Sequence, residues 1–96
     1  MNITLYGCRG NEWVERVRDA LREAGLGYQL SEQFEWGRDP ETMAAVPPFV
    51  DEQGVVHIPR QPTIRLIEGG VEQWAHTLEA CLELVEGLRA ELHELQ

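Results

Sequence analysis

The segment 3–28 constrains the fold of this chain most strongly, because it combines the patterns of a buried strand, a tight loop and an amphipathic helix. A β-rich run from Ile3 to Tyr6 leads into the turn residues 7–10. Apolar residues then recur at helical spacing, at Val14, Val17, Leu21 and Ala24. Asn11 precedes them, at the position where an amide side chain accepts hydrogen bonds from the first turn. The pattern predicts a helix whose N-terminus, the positive end of its dipole, lies at Asn11.

The elements that follow indicate an α/β chain. Gly25 ends the predicted helix, and the alternating polarity near Tyr28 predicts a second strand. This strand is expected to lie parallel to the first, because a helix connects the two. The segment 48–58 predicts a β-hairpin, and the apolar residues of 63–67 predict a short helix that ends at Gly69-Gly70.

The tail from residue 71 onward has apolar residues at alternating spacings of three and four. These positions are Val71, Trp74, Leu78, Cys81, Val85, Leu88, Leu92 and Leu95. Such a heptad seam predicts one long helix that pairs with a second copy as a coiled-coil homodimer. The alternative is an amphipathic helix that folds back on the sheet of its own subunit, because any helix that faces a core carries a similar stripe. Cys81 on this seam is expected to be buried and inert.

Charge and cysteine content exclude several classes of function. The chain of 96 residues has 17 acidic residues against eight arginines, with a net charge of -9. Such a surface repels nucleic acid and anionic membranes. No apolar run approaches the roughly 20 residues of a membrane span, and no secretory signal pattern is visible, so we expect a single-domain cytoplasmic protein. Cys8 and Cys81 lack the spacing of metal ligands, which predicts neither a disulfide framework nor a metal site.

Four short motifs together resemble a known family. They are Leu5-Tyr6-Gly7, Ala24-Gly25-Leu26-Gly27-Tyr28, Val46-Pro47-Pro48-Phe49-Val50-Asp51 and Gly54-Val55-Val56. In this order they are similar to the N-terminal domain of glutathione transferases, and glutaredoxins are the near alternative. The resemblance implies an α/β, thioredoxin-like fold over 1–68. In it a βαβ unit and a β-hairpin supply the four strands of a mixed sheet, and a helix follows them. The long helix over 69–96 is then an addition to that domain.

The resemblance also implies a glutathione site. In that family a cis bond at the position of Val46-Pro47 presents backbone groups to the cysteinyl part of glutathione, as an added strand would. The Glu-Ser pair that holds the γ-glutamyl end falls on Pro59 and Arg60 by this alignment. Arg60 can meet a carboxylate but cannot accept a hydrogen bond from the amino group of the ligand. Val46, Pro47 and Arg60 are therefore the candidate ligand-binding residues.

The catalytic position departs from the family pattern. The family places Ser or Cys where this chain has Asn11, and the two cysteines of a glutaredoxin motif fall on Asn11 and Val14. Dithiol chemistry through that motif is therefore excluded. An amide at this position can still donate a hydrogen bond to the ligand sulfur, as in some relatives that act on glutathione disulfides, or it can simply cap the helix. Cys8, next to Arg9 in the preceding loop, is the other candidate catalytic residue.

Two hypotheses follow from the sequence. The first is a glutathione-binding thioredoxin-fold protein with weak or no thiol-disulfide or transferase activity. The second is a non-catalytic, dimeric protein-interaction module with a degenerate active site. The Val-Pro segment favours the first hypothesis, whereas Asn11, Pro59 and Arg60 favour the second.

Overall fold

The computed structural model describes residues 1–32, 49–57 and 61–94. In chain order its elements are β1 (Asn2–Tyr6), α1 (Glu12–Glu23), β2 (Gln29–Ser31), β3 (Phe49–Val50), β4 (Val56–His57), β5 (Thr63–Glu68), β6 (Val71–Ala75) and α2 (Leu78–Glu94). Within these residues no helix is both long and apolar enough to cross a membrane.

Four of the described strands form one mixed sheet in the order β2-β1-β5-β6. β1 pairs in parallel with β2, with Leu5 opposite Leu30, as the βαβ pattern predicts. β5 pairs antiparallel with β1, placing Ile64 opposite Leu5, and β6 pairs antiparallel with β5, placing Ala75 opposite Ile64. This four-stranded mixed sheet with its helices confirms the predicted α/β, thioredoxin-like fold.

Both helices contribute to a single hydrophobic core on the sheet. Val14, Val17 and Leu21 of α1 are fully buried, as the helical spacing predicts. They pack in one cluster with Ile3, Leu5, Ile64 and Leu66 of the sheet and with Cys81, Val85 and Leu88 of α2. Each fully buried aliphatic side chain contributes about 1.5–3 kcal/mol relative to an exposed one, so this cluster fixes both helices against the strands.

The predicted short helix over 63–67 is wrong, because these residues belong to strand β5. Gly69 and Gly70 form the turn between β5 and β6, with φ angles of 58° and 80°. Two successive residues with positive φ make the tight turn that matches the twist of paired strands, and Gly-Gly suits it since neither residue has a Cβ. The pair therefore connects a hairpin rather than ending a helix.

The predicted helix from residue 71 is wrong at its start, because Val71–Ala75 is the fourth strand of the sheet. Strand β6 thus lies beyond residue 68, the predicted end of the thioredoxin-like domain. Cys81, Val85 and Leu88 are buried in the core of their own chain, as the alternative reading of a folded-back helix predicts. These three seam positions are not available to a second copy, and Leu95 lies outside the described residues. Homodimerisation itself stays a prediction.

The predicted hairpin near residue 51 is confirmed, although it lies outside the main sheet. Strands β3 and β4 pair only with each other, with Val50 opposite Val56. The Asp51 carboxylate accepts the N–H groups of Gln53 and Val55, both at 2.9 Å. An aspartate that bonds its own following backbone in this way stabilises the turn.

Candidate functional site

Strand directions bring several separated segments to one end of the sheet. β1, β2 and β6 run in the same direction, and β5 runs opposite to them. The residues after β1, β2 and β6 therefore meet those before β5. They are the loop 7–11, Glu32, Gln61-Pro62 and His76-Thr77. We call this end of the sheet the site end, and both helices begin there.

Asn11 is the N-cap of α1, as the sequence predicts. Its φ and ψ of -70° and 126° are extended, and its Oδ1 accepts the N–H groups of Trp13 at 3.0 Å and Val14 at 3.1 Å. Because only the carbonyl branch of the amide can accept hydrogen bonds, the Nδ2 branch is left as a donor. Within the described part of the chain no acceptor for Nδ2 is present.

A second set of hydrogen bonds closes the loop onto α1. The Glu15 carboxylate accepts the Gly10 N–H at 3.3 Å and pairs with Arg18 at 2.9 Å. The backbone hydrogen bond from Gly10, followed by the contact with Arg18, lowers the pKa of Glu15. Arg18 also donates to the hydroxyl of Tyr28 at 3.0 Å, which joins the helix to the segment before β2. These bonds hold Asn11 in its capping position.

Cys8 lies at the site end but not at the helix cap. Its N–H donates to Gln61 Oε1 at 2.8 Å, its Sγ lies 3.9 Å from the carbonyl oxygen of Glu32, and its own carbonyl accepts the Asn11 N–H at 3.2 Å. The neighbouring Arg9 pairs with the Glu32 carboxylate at 3.1 Å. Glu32 therefore offsets the cation that the sequence places beside the thiol.

Gly7 allows the loop to pass close over α1. An ideal Cβ built on Gly7 would overlap Cγ2 of Val14, a fully buried residue, so Gly7 has no room for a side chain. The Gly7 N–H also donates to the carbonyl of Ser31 at 3.0 Å and so extends the pairing of β1 with β2. The glycine of the Leu-Tyr-Gly motif is therefore required by packing.

Gln61 is a site residue that the sequence analysis missed. The bond between Gln61 and Pro62 is cis, and it lies directly before β5. The expectation of a cis bond at Val46-Pro47 falls outside the described residues, as does Arg60. The signal that was overlooked is a proline followed at once by β-branched residues, Thr63 and Ile64, which begin the strand beside β1.

The N-terminus of α2 also lies at the site end. Thr77 Oγ1 accepts the N–H of Ala80 at 3.0 Å, and the Thr77 carbonyl accepts the N–H of Cys81 at 2.9 Å, so Thr77 caps the helix. The ring of His76 stacks on Trp74 with centroids 5.7 Å apart. Burial lowers the pKa of His76, which keeps the imidazole neutral near pH 7. Sequence reasoning missed both residues because it started the helix at residue 71.

A shallow depression lies at the start of α1. It has a volume of about 260 Å³ and is lined by Asn11, Glu12 and Trp13. The Trp13 side chain is 54% exposed, although it is large and apolar. The described residues contain no group of His, Cys, Asp or Glu arranged to hold a metal ion. The chemistry available at this place is hydrogen-bond donation at a helix N-terminus, next to an aromatic ring.

Comparison with known proteins identifies the fold. No protein-family model and no curated protein matches the chain in sequence. Among solved structures, it is similar to glutathione transferase Omega 2S from Trametes versicolor in complex with 2,4-dihydroxybenzophenone, with a TM-score of 0.63 and 23% identity over 94% of this chain. It is also similar to a glutathione transferase homologue from Sulfitobacter with bound glutathione, with a TM-score of 0.61 and 23% identity over 94% of this chain.

The chain spans only 39% and 38% of the lengths of these two proteins. At this identity the likeness establishes the fold: the chain has the thioredoxin-like fold of a glutathione transferase N-terminal domain. The order β2-β1-β5-β6 and the two helices on the core are the features that carry it.

Proposed function

We propose that this chain is a glutathione-binding, thioredoxin-fold protein with weak or no thiol-disulfide or transferase activity. The observation that carries the proposal is the orientation of the Asn11 amide at the site end. Its oxygen is held by Trp13 and Val14, so the nitrogen remains as a donor for a ligand sulfur. The helix dipole adds to this donor, because its positive end favours a thiolate over a thiol.

The remainder of glutathione is proposed to extend across the site end toward α2. The α-carboxylate of its γ-glutamyl group suits the N-terminus of that helix, where Thr77 is the cap. The predicted partner of this carboxylate was Arg60, which stays a prediction together with Val46 and Pro47. The residue beside Thr77 is His76, whose imidazole is neutral, whereas the resemblance implies a carboxylate as the partner of the ligand amino group. A neutral imidazole pairs less strongly than a carboxylate with that amino group, so we expect weak affinity.

Catalysis is proposed to be weak because no thiol lies at the cap of α1. Cys8 is the remaining nucleophile of the site end, with its backbone held by Gln61. In disulfide exchange its thiolate would attack one sulfur of glutathione disulfide, form a mixed disulfide and release one glutathione thiolate. The cation next to this thiol, Arg9, is paired with the carboxylate of Glu32.

The alternative is a non-catalytic interaction module. The capping of α1 by Asn11 favours it, because a capping role explains the residue without any ligand. Homodimerisation belongs to this alternative as a prediction, and the exposed Val71 and Leu92 are the seam positions that remain open to a partner. The mass in solution at high concentration tests it.

Binding of glutathione is the decisive measurement. Glutathione is titrated to millimolar concentration into the isotopically labelled chain, and amide chemical shifts are followed by NMR. We expect saturable shifts at Asn11, Trp13 and Thr77. Asn11→Asp keeps an N-cap but replaces the donor with an anion, so we expect affinity to fall about tenfold or more, as for a lost hydrogen bond to a charged group. Gln53→Glu, which adds the same charge at an exposed turn, is the matched control and leaves affinity unchanged.

A gain-of-function variant distinguishes loss of the nucleophile alone from loss of the glutathione-binding site. Asn11→Cys places a thiol at the helix N-terminus, where its thiolate is stabilised. We expect it to reduce a mixed disulfide of glutathione and 2-mercaptoethanol faster than the parent chain does, with Cys8→Ser in both backgrounds to remove the loop thiol. Absence of glutathione binding by the parent and of turnover by Asn11→Cys would leave the interaction module as the function.

A further inference from the structure

A groove runs between α2 and the β5–β6 half of the sheet, on the core side. Its volume is about 460 Å³. Its floor is apolar, formed by Leu66, Ala75, Leu84 and Leu88. Leu66, Ala75 and Leu88 belong to the core cluster and Leu84 packs against it, so the floor is held in place by the fold itself. This groove, with its apolar floor, is unused by the proposed glutathione site.

The rim of the groove is acidic. Glu68 of β5 and Glu83 and Glu91 of α2 line it, and none of the described lining residues is an arginine. Among the described residues these carboxylates do not form a metal-binding group, so they are spread along the groove. A second copy of this chain, with its net charge of -9, would bring the same sign of charge to the rim. Charge complementarity therefore favours an occupant with cationic side chains.

The groove is open along the edge of the sheet. In the described sheet β6 pairs with β5 and has no strand on its other side. Gln73 and Ala75 line the groove, whereas Val71 near the start of the strand is 69% exposed. The strand contains no proline and no bulge that would block pairing. An extended segment added here would direct every second side chain to the groove side.

Gly87 independently indicates that the groove is kept open for an occupant. It lies within α2 and lines the groove, and an ideal Cβ built on it meets no atom within 4 Å. A glycine inside a helix costs about 0.5–1 kcal/mol relative to alanine, and here no close contact in the described structure requires one. Its missing side chain keeps the groove open beside Leu84 and Leu88.

We propose that this groove binds an extended segment of another protein, which pairs with the edge of β6 and carries apolar and basic side chains on one face. The apolar side chains cover the floor between Leu66 and Leu84. Arginine or lysine at either end reaches the carboxylates of the rim. The backbone of the segment satisfies the outer N–H and C=O groups of β6.

The probe for this proposal is a labelled heptapeptide of sequence Arg-Thr-Leu-Thr-Leu-Thr-Arg with blocked ends, followed by fluorescence anisotropy. We expect this peptide to bind, and we expect the matched peptide with Glu in place of both Arg not to bind.

Variants of the chain test the groove itself. Gly87→Leu fills the groove and is expected to weaken binding about tenfold or more by steric exclusion, whereas Gly87→Ala has a smaller effect. Glu83→Gln combined with Glu91→Gln is expected to weaken binding about fivefold, as for two exposed charge pairs. Circular dichroism of each variant verifies that it is folded.

Backbone methylation tests the strand pairing. In an added strand only alternate N–H groups face β6, so methylation of one alternate set is expected to abolish binding and methylation of the other set to preserve it. Equal binding of both methylated peptides to the native chain would overturn strand addition. Undiminished binding to Gly87→Leu, or equal binding of the Glu peptide, would overturn the groove as the site. A dimer in solution that Gly87→Leu dissociates would instead assign the groove to a second copy.

Discussion

At the scale of single residues, the site end depends on side chains that have a structural and a chemical role at once. Asn11 caps α1 through its oxygen, and the same bonds leave its nitrogen as a donor. Gln61 holds the loop by accepting the Cys8 N–H at 2.8 Å. Such dual roles keep a donor in place without a bound ligand, since the fold already fixes its orientation.

The two cysteines are expected to differ sharply in reactivity. Burial raises the pKa of Cys81 to about 12, and its Sγ lies 3.5 Å from the carbonyl oxygen of Ala75. Since the thiolate is the reactive species, we expect an aromatic disulfide reagent at pH 8 to modify Cys8 quickly and Cys81 only after denaturation. Cys8→Ser removes the fast reaction. Rapid modification of two thiols in the native protein would contradict the burial of Cys81.

Single residues were predictable where the information is local. Asn11 was identified as the cap because the cap and the helix that follows are adjacent in sequence. Gln61 was not identified, because it reaches Cys8, 53 positions away along the chain, only through strand pairing. The spacing of residues along the chain does not show which strands pair. The site residues next to β5 and β6 could therefore be identified only from the structure.

At the scale of elements, the hairpin of β5 and β6 decides the architecture. It places β6 at the edge of the sheet and brings the start of α2 to the site end. The apolar spacing of residues 71–78 matches a helix, whereas in the observed strand Val71 and Trp74 lie three positions apart and therefore on opposite faces of the sheet. Gly69-Gly70 between two β-rich segments was the local evidence for a hairpin, and it outweighs the periodicity.

Two glycine substitutions test this architecture, because they are expected to change the free energy of unfolding in opposite directions. Gly70 has a φ of 80°, so Gly70→Ala is expected to lower the free energy of unfolding by about 1–2 kcal/mol. Gly87 lies within α2 with open space around it, so Gly87→Ala is expected to raise that free energy by about 0.5–1 kcal/mol. Urea denaturation measures both. Stabilisation by Gly70→Ala would contradict the positive φ of this turn.

At the scale of the whole molecule, the excess of negative charge destabilises the compact folded state by repulsion. The net charge of -9 is borne by 96 residues, and the ion pairs of the described chain that join Arg9 to Glu32 and Arg65 to Glu72 are partly exposed. Exposed pairs contribute little, whereas repulsion among many like charges acts throughout the surface. By like-charge repulsion, the same acidic excess disfavours a second copy as the occupant proposed for the groove beside α2.

Salt is therefore expected to stabilise the chain. Raising NaCl from about 10 mM to about 150 mM shortens the screening length from about 30 Å to about 8 Å, so the thermal midpoint is expected to rise. Combining Glu23→Gln with Glu52→Gln removes two of the carboxylates and should reduce this rise. Both residues are exposed, and scanning calorimetry measures the effect. A midpoint that falls with salt would mean that ion pairs dominate over repulsion.

The direction of α2 has a practical consequence for work on this protein. The helix starts at the site end and returns along the sheet, so Glu94 lies at the opposite end, where β1 also begins at Asn2. Fluorophores, affinity handles or surface anchors attached at either extremity are therefore held away from Asn11 and Thr77. A chain tethered in this way presents its site end outward, toward the solution.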